Sequence, residues 1–190
     1  MVLRSLLTLC AVLSLSTGSV TAQAPDGAWR VGVALIAPSR LLDATDGELR
    51  SAPGVALEVG RRWRPTSELP PFVRVRLSRV ATEATRGTES WDPGAITSVD
   101  VVAGASHPVS ARVLAHAGLG AGLWSTPDAG APFAAMGALR PLVELGVDVA
   151  LTPRLRATLS ASGTTVPADA ARAQTAGYYW RPMLGVARAF

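Results

Sequence analysis

A period-2 alternation of apolar and polar residues between positions 137 and 163 constrains this chain more than any other feature. The apolar positions are Leu139, Pro141, Val143, Leu145, Val147, Val149 and Leu151, then, after Thr152-Pro153-Arg154, Leu155, Ala157, Leu159 and Ala161. The intervening positions include Arg140, Glu144, Asp148 and Arg156. Successive side chains of a β-strand point to opposite faces, so the pattern predicts two antiparallel strands joined by a tight turn.

The polar face of this hairpin is unusual because it carries both signs of charge close together, on strands that are long for a small sandwich. In a transmembrane β-hairpin the apolar face contacts lipid, and the polar face lines a packed interior. The stretch therefore favours a small transmembrane β-barrel.

The N-terminus is typical of an exported protein. A basic start with Arg4, an apolar run over residues 5–15 and the cleavage motif Ala22-Gln23-Ala24 predict a signal peptide over residues 1–24. The apolar run is too short and too interrupted for a membrane-spanning helix. Residues 25–190 then form a single barrel domain.

Composition excludes several classes of function. Cys10 is the only cysteine, so the mature chain holds no disulfide, thiolate metal site or cysteine nucleophile. No metal or cofactor site is expected. Without Arg4 the chain has 17 arginines against 14 acidic residues, a formal net charge of +3 that is too balanced and dispersed for nucleic-acid binding.

About eight strand-like segments follow residue 25, the number expected for the smallest transmembrane barrels. They span residues 29–36, 54–63, 72–81, 95–105, 111–124, 139–151, 155–162 and 178–190. Long connections are expected at 38–53, 82–94, 125–135 and 164–176, and shorter ones around Pro70-Pro71, His107-Pro108 and 152–154. Alternating long and short connections are typical of barrels with short periplasmic turns and long external loops. Pro141 and Pro182 fall inside predicted strands, where we expect irregular or bulged pairing.

Aromatic residues cluster at predicted strand ends, where amphipathic rings would lie at the membrane interface. Trp29, Trp63 and Phe190 are assigned to the periplasmic side, and the opposite rim is assigned Trp124, Tyr178, Tyr179 and Trp180.

The signal peptide, the alternating strands and the terminal Phe190 together resemble the small outer-membrane β-barrels of the OmpA/OmpX-like type. The resemblance covers residues 25–190 and rests on pattern, without a motif that identifies one member. It implies an all-β, single antiparallel up-and-down barrel of about eight strands in the outer membrane of a Gram-negative cell envelope. It also implies that the C-terminal strand, with Val186, Arg188 and Phe190 at alternate positions, is recognised by the outer-membrane assembly machinery.

The predicted lumen carries many charged residues, which must pair there because isolated buried charge is costly. They are Arg30, Glu58, Arg74, Arg76, Asp100, His116, Arg140, Glu144, Asp148, Arg156 and Arg181. One interpretation is a salt-bridge network that fills the lumen, since an eight-stranded interior is about filled by its side chains. The alternative is a narrow ion path lined by the same groups.

No pattern places a catalytic nucleophile beside a base. His116, the only histidine assigned to the lumen, leaves open a barrel-embedded acyl hydrolase or transferase. Gly118, Gly120 and Gly122 alternate within a strand, so they do not form a dinucleotide-binding turn, and we expect them to make room for opposing arginines.

The leading hypothesis is a non-enzymatic outer-membrane barrel that stabilises the envelope and contacts the exterior through its loops. The alternatives are a small porin-like pore, a lipid-modifying enzyme, and a soluble periplasmic lipocalin-like barrel whose apolar faces point inward. The expected partners are outer-membrane lipid and the assembly machinery, with no nucleic acid, and the expected state is a monomer.

Overall fold

The computed structural model describes residues 28–44, 47–63, 69–125, 138–166 and 177–190. Strands occupy most of these ranges: β1 (Trp29–Ile36), β2 (Ser39–Ala44), β3 (Gly47–Arg62), β4 (Pro71–Arg86), β5 (Glu89–Pro108), β6 (Val113–Ser125), β7 (Ala138–Ala150), β8 (Leu155–Val166) and β9 (Gly177–Ala189). Among the described residues, no helix has the length and apolar character needed to cross a membrane. The predicted signal peptide, with Ala22 and Ala24, lies outside the described residues.

The sheet closes into a ring because β1 pairs with both β3 and β9. Val33 lies opposite Leu57 on one side and opposite Val186 on the other. Strand β2 continues β1 after Pro38 and pairs with the first part of β3. The ring therefore has eight antiparallel strands, β1 and β3 to β9. The prediction of an all-β, up-and-down barrel of about eight strands is confirmed.

The ring has two different ends. At one end, which we call the turn end, the Phe190 N–H donates to the Trp29 carbonyl at 3.0 Å, and turns at residues 109–112 and 151–154 join neighbouring strands. At the other end, the loop end, strands join across residues 45–46, 87–88, 126–137 and 167–176. Most of the predicted connections 125–135 and 164–176 lies outside the described residues, although β6 includes Ser125 and β8 extends to Val166.

Two predicted long loops are wrong, because these residues are paired strands. Residues 38–53 contain β2 and the start of β3, and residues 82–94 contain a hairpin that turns at Gly87, where φ is 57°. Register shifts at Ser51/Gly54 and Thr82/Ala84 separate these extensions from the regular ladder. Backbone pairing continues beyond the register shifts, but the apolar alternation does not. The alternation therefore predicts only the regular part of each strand and leaves out the extensions. Likewise, His107 and Pro108 end β5 and the turn follows them.

The two strand prolines lie at ladder ends, and the registers show no bulge at either one. Pro182 pairs with Ala161, and its carbonyl accepts from the Ala37 N–H at 2.9 Å, beyond the last β1–β9 pair. Pro141 pairs with Ala121, one residue beyond the last β7–β8 pair. Each proline lacks its N–H donor at a position where a ladder ends, so few hydrogen bonds are lost. We expected irregular or bulged pairing at these residues; no bulge is present, and the irregularity is the end of a ladder.

The outer surface of the ring is an apolar band. Large hydrophobic side chains on every strand of the ring point outward, with exposed fractions such as 58% at Leu57, 47% at Val101 and 69% at Leu119. The neighbouring positions on the same strands point inward and are buried or half-buried. This is the inverse of a soluble barrel and rules out the lipocalin-like alternative, in which the apolar face lies inside.

An arginine in the apolar band should destabilise the barrel. Val101→Arg places a guanidinium near the middle of β5's membrane segment and should lower the free energy of unfolding by about 2–4 kcal/mol. The measurement is urea unfolding in lipid vesicles. The matched control is Val109→Arg in the exposed turn, which should change stability by about 1 kcal/mol or less. Equal effects of the two substitutions would contradict the lipid-facing assignment of Val101.

Candidate functional site

The inward positions of the barrel strands form a layered lumen, described here from the turn end. Period-2 alternation brings the inward side chains of neighbouring strands together on one face, so residues distant in sequence become neighbours. The charged residues assigned to the lumen all lie on this inward side, where Arg30 and Glu58 are half-buried and the others are buried.

The first layer is centred on Asp148 of β7. Its carboxylate lies 2.7 Å from Nη2 of Arg62 and 3.7 Å from Nη1 of Arg30, and it accepts a hydrogen bond from the Thr158 hydroxyl at 2.9 Å. Arg62 ends β3, and its inward orientation was not predicted from the sequence. The alternation in β3 places Arg62 on the same face as Glu58, so extending that pattern by four residues would have found it.

The second layer is centred on Glu144, whose side chain is fully buried. Its two oxygens lie 2.6 Å from Nη1 of Arg74 and 2.8 Å from Nη2 of Arg76. Glu58 also contacts both arginines, at 3.6 and 3.3 Å. Two arginines and two carboxylates thus form one network across β3, β4 and β7, in which each charge has an opposite neighbour.

His116 joins the first two layers. Its Nε2 lies 3.5 Å from a Glu144 oxygen and its Nδ1 lies 3.7 Å from an Asp148 oxygen, and the side chain is 0% exposed. The Phe72 ring packs edge-on against the imidazole, with centroids 5.6 Å apart. Gly146 provides the space, because a Cβ there would lie 2.6 Å from Nε2 of His116.

The third layer is centred on Arg181 of β9. Its guanidinium donates to Asp100 at 2.6 Å, to Ser98 at 2.9 Å and to Ser78 and Ser162 at 3.2 Å, so it links β9 to strands on both sides of the barrel. The same guanidinium lies over the Trp124 ring, 4.6 Å from its centroid.

Beyond Arg181, the loop end is filled by an apolar cluster that we call the plug. The plug consists of Leu49, Ala84, Ile96, Trp124, Leu142 and Tyr179, with Trp91 packed against it. The Trp124 and Tyr179 rings meet edge-to-face, with centroids 5.4 Å apart. Arg140 lies near this end and donates to the Thr165 carbonyl at 3.0 Å.

The assignment of Trp124 and Tyr179 to the membrane interface is wrong. Trp124 is 1% exposed and points into the lumen, as does Tyr179. The alternation in β6 already implied this orientation, because Trp124 lies two positions after the inward-facing Gly122. Trp29, Trp63, Tyr178, Trp180 and Phe190 are exposed on the outside.

The atoms nearest to the β6 glycines do not belong to arginines, contrary to expectation. A Cβ at Gly120 would meet the backbone of Val101, and a Cβ at Gly118 would lie 2.7 Å from the Val102 side chain. A Cβ at Gly122 would lie 2.6 Å from Nε1 of Trp124 and would also clash with Asp100. A Cβ at Gly118 would lie 3.2 Å from the Phe72 ring. Within the described ranges, no three His, Cys, Asp or Glu residues are placed to hold a metal ion.

Removing Arg181 should destabilise the barrel strongly, because Asp100 would remain buried without its cation. Arg181→Ala should lower the free energy of unfolding by about 3–5 kcal/mol, measured by urea unfolding in vesicles. The control is Arg50→Ala, which breaks the Arg50–Glu48 pair of 2.7 Å at the loop end. The Arg50 side chain is 60% exposed, so its removal should lower the free energy of unfolding by about 1 kcal/mol or less. A small effect of Arg181→Ala would show that the third layer does not support the fold.

Comparison with known proteins shows the fold but no close relative. No protein-family model and no curated protein matches the chain. Among solved structures, Neisserial surface protein A (NspA) matches with a TM-score of 0.53 and 14% identity, covering 87% of this chain and 100% of that one. The outer membrane protein OprG from Pseudomonas aeruginosa matches with a TM-score of 0.51 and 12% identity, covering 89% and 98%. A de novo designed transmembrane β-barrel matches with a TM-score of 0.50 and 13% identity, covering 88% and 99%. The chain therefore has the fold of the small eight-stranded outer-membrane β-barrels.

Proposed function

We propose that this protein is a non-enzymatic outer-membrane barrel with a closed lumen, which stabilises the envelope and presents its loop end to the exterior. The observation that carries the proposal is the buried sequence of layers from Asp148 to the plug. Ion pairs join the walls across the lumen in three layers, and the plug then closes the loop end with apolar side chains.

The plug and the Arg181 layer support a barrel that does not conduct ions. Trp124 and Tyr179 are each 1% exposed, and Arg181 is 2% exposed. An ion crossing this region would lose most of its hydration, because the described residues of the plug offer few polar groups beyond the Tyr179 hydroxyl and the Trp124 N–H. Such constrictions act as barriers in channels. The charged layers are thus better suited to holding the walls in register than to lining a path.

Planar-bilayer recording tests the closed lumen. The wild-type barrel should show no stable conductance steps. A Trp124→Ala/Tyr179→Ala variant should show them, because it removes both rings of the plug above Arg181. The control is Tyr178→Ala, which removes an exposed ring on the outer face of the same strand as Tyr179. Steady conductance of the wild-type protein would favour the small-pore alternative.

The surroundings of His116 argue against a lipid-modifying enzyme. Both ring nitrogens lie nearest to carboxylates, and the side chain is fully buried within the lumen. Lipid contacts the outer face of the barrel, on the other side of the strand backbone. These surroundings are those of a structural histidine between two buried carboxylates.

The extended strands at the loop end support a role in surface contacts. Strand β5 has 20 residues, and β3 and β4 have 16 each, against 12 in β8. At about 3.4 Å per residue, the β4–β5 hairpin projects well past the regular ladder. Its exposed residues are mostly polar, which suits a surface in contact with water and external partners.

Epitope insertion tests which end faces outward. A peptide tag inserted between Gly87 and Thr88 should be labelled by antibody on intact cells. The same tag between Thr152 and Pro153 in the turn end should be labelled only after the outer membrane is permeabilised. Labelling in the reverse pattern would place the turn end outside and overturn the surface role of the hairpin.

The expected partners belong to the same proposal. The apolar band provides the contact with outer-membrane lipid. Phe190 is 71% exposed at the turn end, in a position suited to recognition by the assembly machinery. A monomer is sufficient for this function, because the ring closes within one chain.

A further inference from the structure

A cluster of arginines and aromatic rings, which we call the rim patch, lies on the outer face of the turn end. It consists of Arg61, Arg154 and Arg188 with Trp29, Trp63 and Phe190. Trp29 pairs with Arg61, and its carbonyl accepts from the Phe190 N–H at 3.0 Å. The Arg154 carbonyl accepts from the Ala189 N–H at 2.7 Å. The rim patch therefore extends over the turn before β8 and over β9, β1 and β3, which are neighbours in the ring.

The rim patch carries positive charge that the protein does not offset. Two of its arginines are exposed and Arg61 is half-buried, and none of the three forms an ion pair with a described side chain. The nearby carboxylates of Glu58 and Asp148 point into the lumen, on the other side of the barrel wall. Even if a terminal carboxylate at Phe190 is counted against the three arginines, about two positive charges remain for a ligand to neutralise.

These arginines are concentrated on one side of the ring. On the opposite side, outward positions at the turn end of the strands are uncharged, as at Pro71 in β4, Ala105 in β5 and Val149 in β7. The exposed acidic residues among the described ranges lie at the other end of the barrel, in the β4–β5 hairpin. The distribution indicates a local site and not a uniform basic belt.

The aromatic rings hold the arginines at the depth of lipid headgroups. The Arg61 guanidinium lies over the Trp29 and Trp63 rings, 5.7 and 5.5 Å from their centroids, and the Arg188 guanidinium lies 5.5 Å from the centroid of Phe190. Tryptophan rings favour the membrane interface, where a guanidinium avoids the cost of entering hydrocarbon. Stacking uses the face of a guanidinium and leaves N–H donors at its edge available to phosphate oxygens.

We propose that the rim patch binds the headgroup phosphate of an anionic phospholipid, such as phosphatidylglycerol, in preference to a zwitterionic one. The proposal rests on the proposed function for its orientation, which places this lipid in the leaflet that faces the periplasm. Charge complementarity is the reason for the preference, because a zwitterionic headgroup brings a cation of its own toward the arginines. The acyl chains would lie against Val31, Val59 and Val186, where the apolar band continues from the rim patch.

Quenching of tryptophan fluorescence by brominated lipids tests the proposal. The barrel is refolded into vesicles of phosphatidylcholine and phosphatidylglycerol, with bromine on the acyl chains of an equal amount of one lipid or the other. Trp91→Phe and Trp180→Phe form the background, so Trp29 and Trp63 are the exposed reporters. At low salt we expect stronger quenching by brominated phosphatidylglycerol, equivalent to a preference of about fivefold for each arginine in contact. Added NaCl should reduce the preference.

Arginine variants test whether the rim patch causes the preference. Arg61→Gln and Arg188→Gln should each lower it, and the triple variant that adds Arg154→Gln should abolish it. The matched control is Arg79→Gln, which removes an outward, exposed arginine of β4 on the loop side of the apolar band and should leave the preference unchanged. Comparing the two brominated lipids within each variant cancels changes in the fluorescence of the reporters themselves.

The vesicle assay does not depend on which end of the barrel faces outward. Equal quenching by the two lipids in the wild-type barrel, or a preference that survives the triple substitution, would overturn the proposal. Folding of each variant is checked by faster migration of the unboiled protein in gel electrophoresis. If the preference held but epitope labelling placed the turn end outside, the assignment to the periplasmic leaflet would be wrong.

Discussion

The pairing of β1 with β9 is the constraint on which the rest of the structure depends. Hydrocarbon offers no hydrogen-bond partners, so a sheet within a bilayer must leave no free edge. The register from Arg30↔Ala189 to Ile36↔Met183 closes the ring and, together with the β1–β3 ladder, sets its circumference. Once the ring is closed, one face of every strand must point toward lipid, and the other must fill a narrow interior.

The interior follows from this confinement. A charged side chain is unfavourable in lipid and costly when buried without a partner. The charges at Asp148, Glu144 and Arg181 are therefore paired across the lumen, each with partners from distant strands. Because these pairs connect strands that are not neighbours in the ring, they resist both collapse and slippage of the barrel. The plug then separates the charged layers from the loop end.

The errors in the placement of aromatic and charged residues have the same origin. Location at a strand end suggests an interface position for Trp124 and Tyr179 and gives no face for Arg62, although the alternation within each strand places all three in the lumen. Successive side chains of a strand point to opposite sides of the barrel wall, so the alternation decides whether a residue faces the lumen. The position of the residue along its strand decides only how far it lies from either end of the barrel. The extensions beyond Ser51 and Thr82 were missed for a different reason. There, backbone pairing continues, but the outward positions are no longer consistently apolar. The residue pattern therefore does not indicate a strand.

By itself, the sequence determined the class of fold, the number of strands in the ring and the face on which the assigned charged residues lie. These follow from local alternation, because a period of two is a property of each strand alone. Only the tertiary structure decided which charges meet, that His116 lies between Glu144 and Asp148, and that the Trp124 and Tyr179 rings pack together at the loop end. Those contacts depend on the register and stagger with which the ring closes, and a pattern read along one strand contains no information about its position relative to a strand across the barrel.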